Sequence, residues 1–491
     1  MKNFCGIEGV ESVFQPKQIR GSNDSKRVRA CSRACRWLAT TGALAASLVA
    51  WGNVAPAFAS AEPSTASQNV VARAVQLTKW WAYGKEILLE ARFDSEMQSG
   101  LSTAQLADVW AELVAQKGSY KGVSGARMET VGGVPVVVVA VAFQNESAGI
   151  EWSFSSDGTV TGLHIVLLPA AWSRPWYDKR ATYAEEKLTI GSGYLKVPAE
   201  LDVPVGKGPF PAVVLVPGSG PADMNERVDG GPEEPLRDLA HGLASSGIAV
   251  LRYDKPTFAN PIAFEGPENV NRVTPQVTDV ADAEAATEYL LQAKNINPSE
   301  VFVAGHSLGG FVAPMVVKTI PKVAGLIMLA APTTSPAQLL VNQTRYLDEL
   351  GGPLIASEQA NLTRLSAEVK LADSPKLTVS TPADELPLGL PAQYWLFFQH
   401  YSAIRTASSL TEPILVLQGM SDYQVPPSSL SIWEKALAGH ANASFDSFQS
   451  LDHMFMPVTG KSTPADYMRP NHVASVVVGT IATWVKQQTN S

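Results

Sequence analysis

The sequence predicts an α/β fold on a mostly parallel sheet, preceded by a small α+β domain. Three observations carry this expectation. From residue 211 onward, short β-branched runs alternate with helical segments, as in a sheet covered on both faces by helices. Between Val70 and Pro169, helical periodicity comes first and strands follow. Residues 336 to about 410 break the alternation with mostly helical sequence, and read as an inserted cap.

Residues 1–61 read as a leader. Eight Lys and Arg lead into the apolar run "WLATTGALAASLVAW" (37–51), and "APAFASA" then offers cleavage after Ala59 or Ala61. The run is shorter than the roughly 20 residues of a comfortable membrane span. A cleaved signal peptide and an exported protein, periplasmic or extracellular, are therefore expected over an uncleaved anchor. Without the leader, 30 basic face 43 acidic residues, a net charge of −13. So acidic a body argues against nucleic acid or an anionic membrane as partner. All three cysteines (Cys5, Cys31, Cys35) precede residue 37. The processed chain then has no disulfide, no thiolate metal site and no cysteine nucleophile.

Residues 62–170 form the expected α+β domain. "EPSTASQN" (62–69) reads as a polar linker, followed by two helical segments, the second opened by Ser102. The β-branched run "GVPVVVVAVAF" (133–143) and a hairpin turning at Asp157-Gly158 complete three strands. Residues 171–491 form the second domain. Its strand candidates are 211–218, 248–254, 301–305, 324–332, 413–419 and 443–449, with helices between them.

The chemistry centres on "VFVAGHSLGGFVAPMVVK" (301–318). A Gly-x-Ser-x-Gly follows a buried-type strand and precedes a helix, the context in which a strained turn exposes a nucleophilic serine. Gly305 and Gly309 supply the small residues such a turn needs, and the Leu308 N–H at the helix start can face a developing oxyanion. Serine needs a base, and the base an orienting acid. His453, in "QSLDHMFMP", follows the last strand, whereas His440 ends a helix and His472 opens one. Asp422, in "QGMSDYQVPP", follows the preceding strand. His306, His241, His400, Asp254 and Asp452 read as structural. The loop "PGSGPADMNE" (217–226) after the first of these strands is the place for a second oxyanion donor, the Ser219 N–H, with Gly220 as the alternative. Trp395 and Phe398, in the aromatic cap segment "PAQYWLFFQHYSAI", are candidates for an acyl-binding wall. No H-e-x-x-H, phosphate-binding or dinucleotide fingerprint is present, so neither metal nor cofactor is expected.

Residues 180–491 resemble the α/β-hydrolase superfamily, and most of all bacterial esterases of the EstD type. The resemblance rests on "GSGPADMNE", "LAHGLASSGIAVLRYDK", "VAGHSLGG", "QGMSDYQV" and "DHMFMP". Pro217 stands where the family usually has histidine. Residues 70–168 resemble a domain often fused upstream of such hydrolases, with a cystatin-like cone fold. The resemblance implies a serine carboxylesterase acting on small-molecule esters through Ser307, His453 and Asp422. The same triad serves peptidases and thioesterases. A reading of another class is a secreted binding protein with a decayed hydrolase part, against which the intact order Ser, Asp, His argues.

Overall fold

The structure is a computed structural model describing residues 65–131, 134–145, 147–155, 157–166, 168, 172–227, 232–264 and 269–489. Residues 1–61, read as a leader, lie outside the described residues. No helix among them is long and apolar enough to cross a membrane.

The first helix of the N-terminal domain begins earlier than expected. Helix α1 (Thr65–Ala82) starts inside the segment read as a linker, followed by α2 (Glu86–Glu90), α3 (Ser95–Gly100) and α4 (Thr103–Lys117). Ser102 caps α4 by accepting the Gln105 N–H, while the Gln105 side chain approaches the Ser102 N–H at 3.0 Å. Four antiparallel strands follow in the order β1-β2-β3-β4 (Tyr120–Val131, Val134–Phe143, Ser147–Phe154, Val160–Val166). Strand β1 is one more than the sequence predicts. Gly122 and Gly125 interrupt its apolar pattern, and the pairing with β2 shifts register at both places. Trp81, Leu106, Val139 and Trp152 are fully buried in the core, with Trp110 packed against Trp81. Each buried indole nearest the helices has its N–H satisfied, Trp81 on Leu106 O (2.8 Å) and Trp152 on Thr78 Oγ1 (2.9 Å).

The second domain holds an eight-stranded sheet, ordered β12-β11-β10-β9-β7-β8-β6-β5. Strands β7 (Phe210–Val216), β8 (Ala249–Tyr253), β9 (Ile296–His306), β10 (Gly325–Leu329), β11 (Ile414–Gly419) and β12 (Ala443–Phe448) run parallel. An antiparallel pair, β5 (Tyr183–Ile190) and β6 (Val197–Pro204), extends the sheet beside β8. The sequence hid that pair because β5 is a charged edge strand, alternately exposed, and β6 carries prolines and acids.

Alternation along the strands divides the core. Val214, Val216, Val301 and Val303 face helices α7 (Ala281–Gln292) and α8 (Leu308–Thr319), which come after α5 (Pro235–Ala244) and α6 (Pro256–Ala259) in the chain. Val213, Leu215, Phe302 and Ala304 face α5 and the C-terminal helix Ser475–Thr489. Strands this apolar on both sides are what a parallel sheet requires. Between β10 and β11 the chain leaves the sheet to form α9 (Pro336–Glu349), α10 (Ala356–Ala372), α11 (Ala392–His400) and α12 (Ala403–Ala407). The cap has its own apolar core around Leu340, Leu365, Val369 and Trp395.

Candidate active site

Strand β9 ends at His306 and α8 begins at Leu308, so Ser307 alone makes the turn. Its φ of 52° is a strained conformation for a residue with a Cβ. The Ser307 N–H donates to Leu329 O at the end of β10 (2.8 Å), which ties the turn to the neighbouring strand. The crowding expected around it is present. A Cβ at residue 305 would lie 2.3 Å from Gly309 O, and one at residue 309 would lie 2.3 Å from Val216 O.

Ser307 and Leu308 open onto a cleft between the sheet edge and the cap. Ser219 borders it from the β7 loop, while Leu339, Leu340, Leu388, Leu390, Tyr394 and Trp395 form its apolar side. The N–H groups of Ser219 and Leu308 have no acceptor among the described residues. Two free donors beside one serine form a place for a negative oxygen.

Asp422 lies in the loop after β11 and is fully buried. Its four lone-pair directions are all used. Oδ1 accepts the N–H groups of Gln424 (2.7 Å) and Val425 (2.9 Å), and Oδ2 accepts Gln418 Nε2 (3.1 Å). The remaining bond comes from His453 Nδ1–H at 2.7 Å. That bond fixes the imidazole tautomer, leaving Nε2 free to take a proton. No hydrogen bond joins Ser307 Oγ to His453 among the described residues. In unliganded sites such contacts are often long and tighten with substrate.

The other sequence candidates fall elsewhere. Phe398 does not border the cleft. It packs edge-on against Phe311 of α8 (5.8 Å) and beside Tyr394 (5.3 Å), on the side of α11 turned toward the sheet domain. The helical period puts Phe398 one turn from Tyr394 and Trp395, but only the latter two reach the cleft. Asp452 turns away, as its position implies, with Oδ1 accepting the Met454 and Met456 N–H groups (2.9 Å each). His241 is buried beside Asp178 (2.8 Å), and burial pushes it down to about 3, so it is neutral.

His241 also belongs to a cluster with Glu185, Glu200 and Asp202 whose donor atoms lie close enough for a metal ion. The Arg252 guanidinium sits among them, bonded to Glu200, 3.6 Å from Asp202 and 3.3 Å from His241 Nε2. That cation supplies the positive charge a metal would bring.

Two buried pairs near Ser307 escaped the sequence analysis. His306 Nδ1 contacts both oxygens of Glu226 at 2.9 Å, and its Nε2–H donates to His453 O at 2.9 Å. Burial opposes the charge on His306, but Glu226 and these bonds outweigh it and raise its pKa. Both ring nitrogens then donate, and the His306 ring lies 4.6 Å from that of His453. The second pair is Lys255 with Asp279, at 2.6 Å. The available signals were the histidine inside the elbow and the glutamate closing the loop after β7. Neither names its partner, 80 residues away in the chain.

With the fold and these distances in view, the comparisons are specific. The profile of the alpha/beta hydrolase family matches residues 213–467. The chain belongs to that family. It is 31% identical over 392 residues to Esterase EstD of Thermotoga maritima, covering 80% of this chain and 89% of that protein. A second profile, a protein family of unknown function, matches residues 87–163 in the N-terminal domain. Among solved structures, Est1E of Butyrivibrio proteoclasticus overlays with a TM-score of 0.40 at 16% identity, covering 62% of this chain and 99% of that one. An esterase of Pyrococcus furiosus overlays with a TM-score of 0.40 at 11% identity, covering 65% and 97%.

Proposed function

We propose that the protein is an exported serine carboxylesterase. The observation that carries the reading is the arrangement around one cleft: a strained Ser307, two unpartnered N–H groups beside it, and the buried Asp422–His453 pair on the adjoining loops. Family membership and the similarity to an esterase support ester hydrolysis over other acyl transfers.

In the proposed reaction, Ser307 Oγ attacks the ester carbonyl carbon while His453 Nε2 takes its proton. The carbonyl oxygen becomes an anion held by the Leu308 and Ser219 N–H groups. Asp422 holds the imidazole in place and stabilises its cationic form. His453 then gives the proton to the departing alcohol, leaving an acyl group on Ser307. Water, deprotonated by His453, attacks this acyl-enzyme and releases the acid. The apolar cap residues accommodate the acyl chain. None of these steps calls for a metal or cofactor.

A fluorophosphonate probe tests the reading. It labels the wild type at Ser307, and the labelled protein loses hydrolysis of a chromogenic acetate ester. A panel of esters beside peptide amides decides the leaving group, with esters favoured by orders of magnitude. Absence of labelling together with undiminished turnover would overturn the proposal. Export rests on the leader sequence, and N-terminal sequencing of the secreted protein is expected to begin at Ser60 or Glu62.

A further inference from the structure

The loop after β7 carries Ser219, whose N–H serves the oxyanion only if the peptide between Gly218 and Ser219 faces the right way. A glycine-rich loop does not fix this by itself, since Gly218 has no side chain to restrict its peptide. The structure supplies two charged groups that do. Glu226 Oε1 accepts the Gly218 N–H at 2.6 Å. Lys255 Nζ donates to Gly218 O at 2.9 Å and to Asp279 Oδ1 at 2.6 Å. A Cβ at residue 218 would lie 2.6 Å from the Glu226 carboxylate and 3.2 Å from Ser307 Cβ, so a larger residue would have to displace the carboxylate.

Lys255 follows β8 and is almost fully buried, as is Asp279. Asp279 sits in a π-helical turn (Gln276–Val280) ahead of α7, and its other oxygen accepts Thr278 Oγ1–H at 2.6 Å. Such turns are rare and project side chains that a regular helix would not. The Lys255 backbone N–H also donates to Ala222 O (3.0 Å), so one residue grips the loop twice. A buried ion pair is a weak source of stability, because desolvation offsets most of the attraction. Its contribution here lies in geometry.

In a trans peptide, the carbonyl of one residue and the N–H of the next point in opposite directions. A cation holding the Gly218 carbonyl on one side of the loop therefore turns the Ser219 N–H to the other. Lys255 borders a recess with Gly220, Thr257 and Asp279, while Ser219 borders the cleft with Ser307 and Leu308. We propose that the buried Lys255–Asp279 pair is a positioning device for the oxyanion hole, holding the Gly218 carbonyl so that the Ser219 N–H faces the ester oxygen. The proposal rests on the serine-esterase reading. Lys255 touches no reacting atom in it. Its removal frees the peptide to rotate and weakens a donor that matters only once the tetrahedral anion forms.

The test uses the full-length enzyme with Lys255→Met and the double variant Lys255→Met/Asp279→Asn, which leaves no unpaired buried charge. Four quantities are read: kcat and KM on a chromogenic acetate ester, melting temperature, and affinity for a trifluoromethyl ketone. The ketone adds to the serine and places an alkoxide where the oxyanion forms. Removing one donor outright costs about 10²–10³-fold in kcat, and a misdirected donor is expected to cost about 10- to 100-fold. KM should stay within about threefold, and ketone affinity should fall by the same factor as kcat/KM. The double variant should melt close to the wild type and show the same split. A folded double variant with wild-type kcat and ketone affinity overturns the proposal, as does a kcat loss without loss of ketone affinity. Ser307→Ala, assayed beside them, separates the two readings. An inactive Ser307→Ala with a fully active double variant removes only this proposal, whereas an active Ser307→Ala removes the esterase mechanism with it.

Discussion

The two sheets of this molecule treat polar groups differently. In the N-terminal domain, Thr78 on α1 and Glu151 on β3 are the buried polar side chains among the described residues. Thr78 is bonded at both ends, to Ala74 O and Trp152 Nε1, and Glu151 meets His164 at 3.1 Å. In the eight-stranded sheet, charged groups are buried in numbers around the carboxyl ends of the strands: Asp422 with His453, Glu226 with His306, Lys255 with Asp279. Burying a charge is costly unless it is paired. Three such pairs gather near the Gly-x-Ser-x-Gly turn, and clustered buried ionisable groups of this kind mark a candidate site for chemistry. The N-terminal domain has a core of tryptophans, and the N–H groups of Trp81 and Trp152 are satisfied inside it.

The largest expected effect lies at the sheet edge. Ser307→Ala should lower kcat by more than about 10⁴-fold with the melting temperature little changed, since the turn already favours small residues. His453→Ala should match it, and Asp422→Asn should lose somewhat less, because the amide still packs but no longer stabilises the imidazolium. Steady-state rates on an acetate ester, with thermal melts alongside, check all three. Wild-type turnover from Ser307→Ala would erase the contrast between the domains.

The reverse experiment belongs in the N-terminal sheet. Trp152→Ala removes a fully buried indole and leaves the Thr78 hydroxyl with its Ala74 O bond alone. Substitutions of this kind cost about 3–5 kcal/mol. Hydrogen exchange should rise across residues 65–166, while kcat/KM for a small soluble ester stays within about twofold. A parallel loss of turnover would show that the N-terminal domain supports the site after all.

How much of this was legible in the sequence follows the same division. The elbow, the acid and the base stand at fixed places relative to strands, so the fold's chain order singles out Ser307, Asp422 and His453. The inner parallel strands, β7 to β11, were legible because burial on both faces makes them largely apolar. β1, β5 and β6 were not: β1 carries glycines and register shifts, β5 is a charged edge strand, and the interior strand β6 is interrupted by prolines and acids. The Lys255–Asp279 and Glu226–His306 pairs were hidden for another reason. A buried charge in a sequence looks like a surface charge until its partner is known, and pairing across the sheet leaves no periodicity.

The cap offers a subtler contrast, between two faces of one helix. Trp395 borders the cleft, and its Nε1 has no partner among the described residues. Phe398, one turn of α11 away, packs on Phe311 instead. Each buried methylene contributes about 0.8 kcal/mol. Trp395→Ala should therefore lower kcat/KM about tenfold more for a hexanoate ester than for acetate. Phe398→Ala should lower the melting temperature and treat all chain lengths alike. Equal chain-length profiles for the two variants would remove the cap from acyl recognition.

The smallest expected effect concerns stability against pH, and it tests whether the buried charges of the catalytic domain burden the fold. Glu233 precedes α5 and is fully buried, and neither of its oxygens has a partner among the described residues. Burial, then the nearby Asp452, Asp238 and Asp466, push its carboxyl up to about 9. In the unfolded chain a glutamate titrates near 4.3. Between these values the folded state keeps a proton that the unfolded state has lost, so stability falls as pH rises. Below about 4.3 both states are protonated, and the group makes no difference. Asp282, Asp202 and Asp452, raised to about 8, 7 and 7, act in the same direction over narrower windows. His241, held down at about 3, acts oppositely, and its contribution is lost as pH falls below about 6.5. Glu233→Gln replaces the protonated acid with a neutral group of similar shape. Its melting temperature should match the wild type near pH 4.5 and exceed it by a few degrees at pH 8.5. Parallel melting curves across that range would mean that Glu233 is ionised in the folded protein, with a cation beside it.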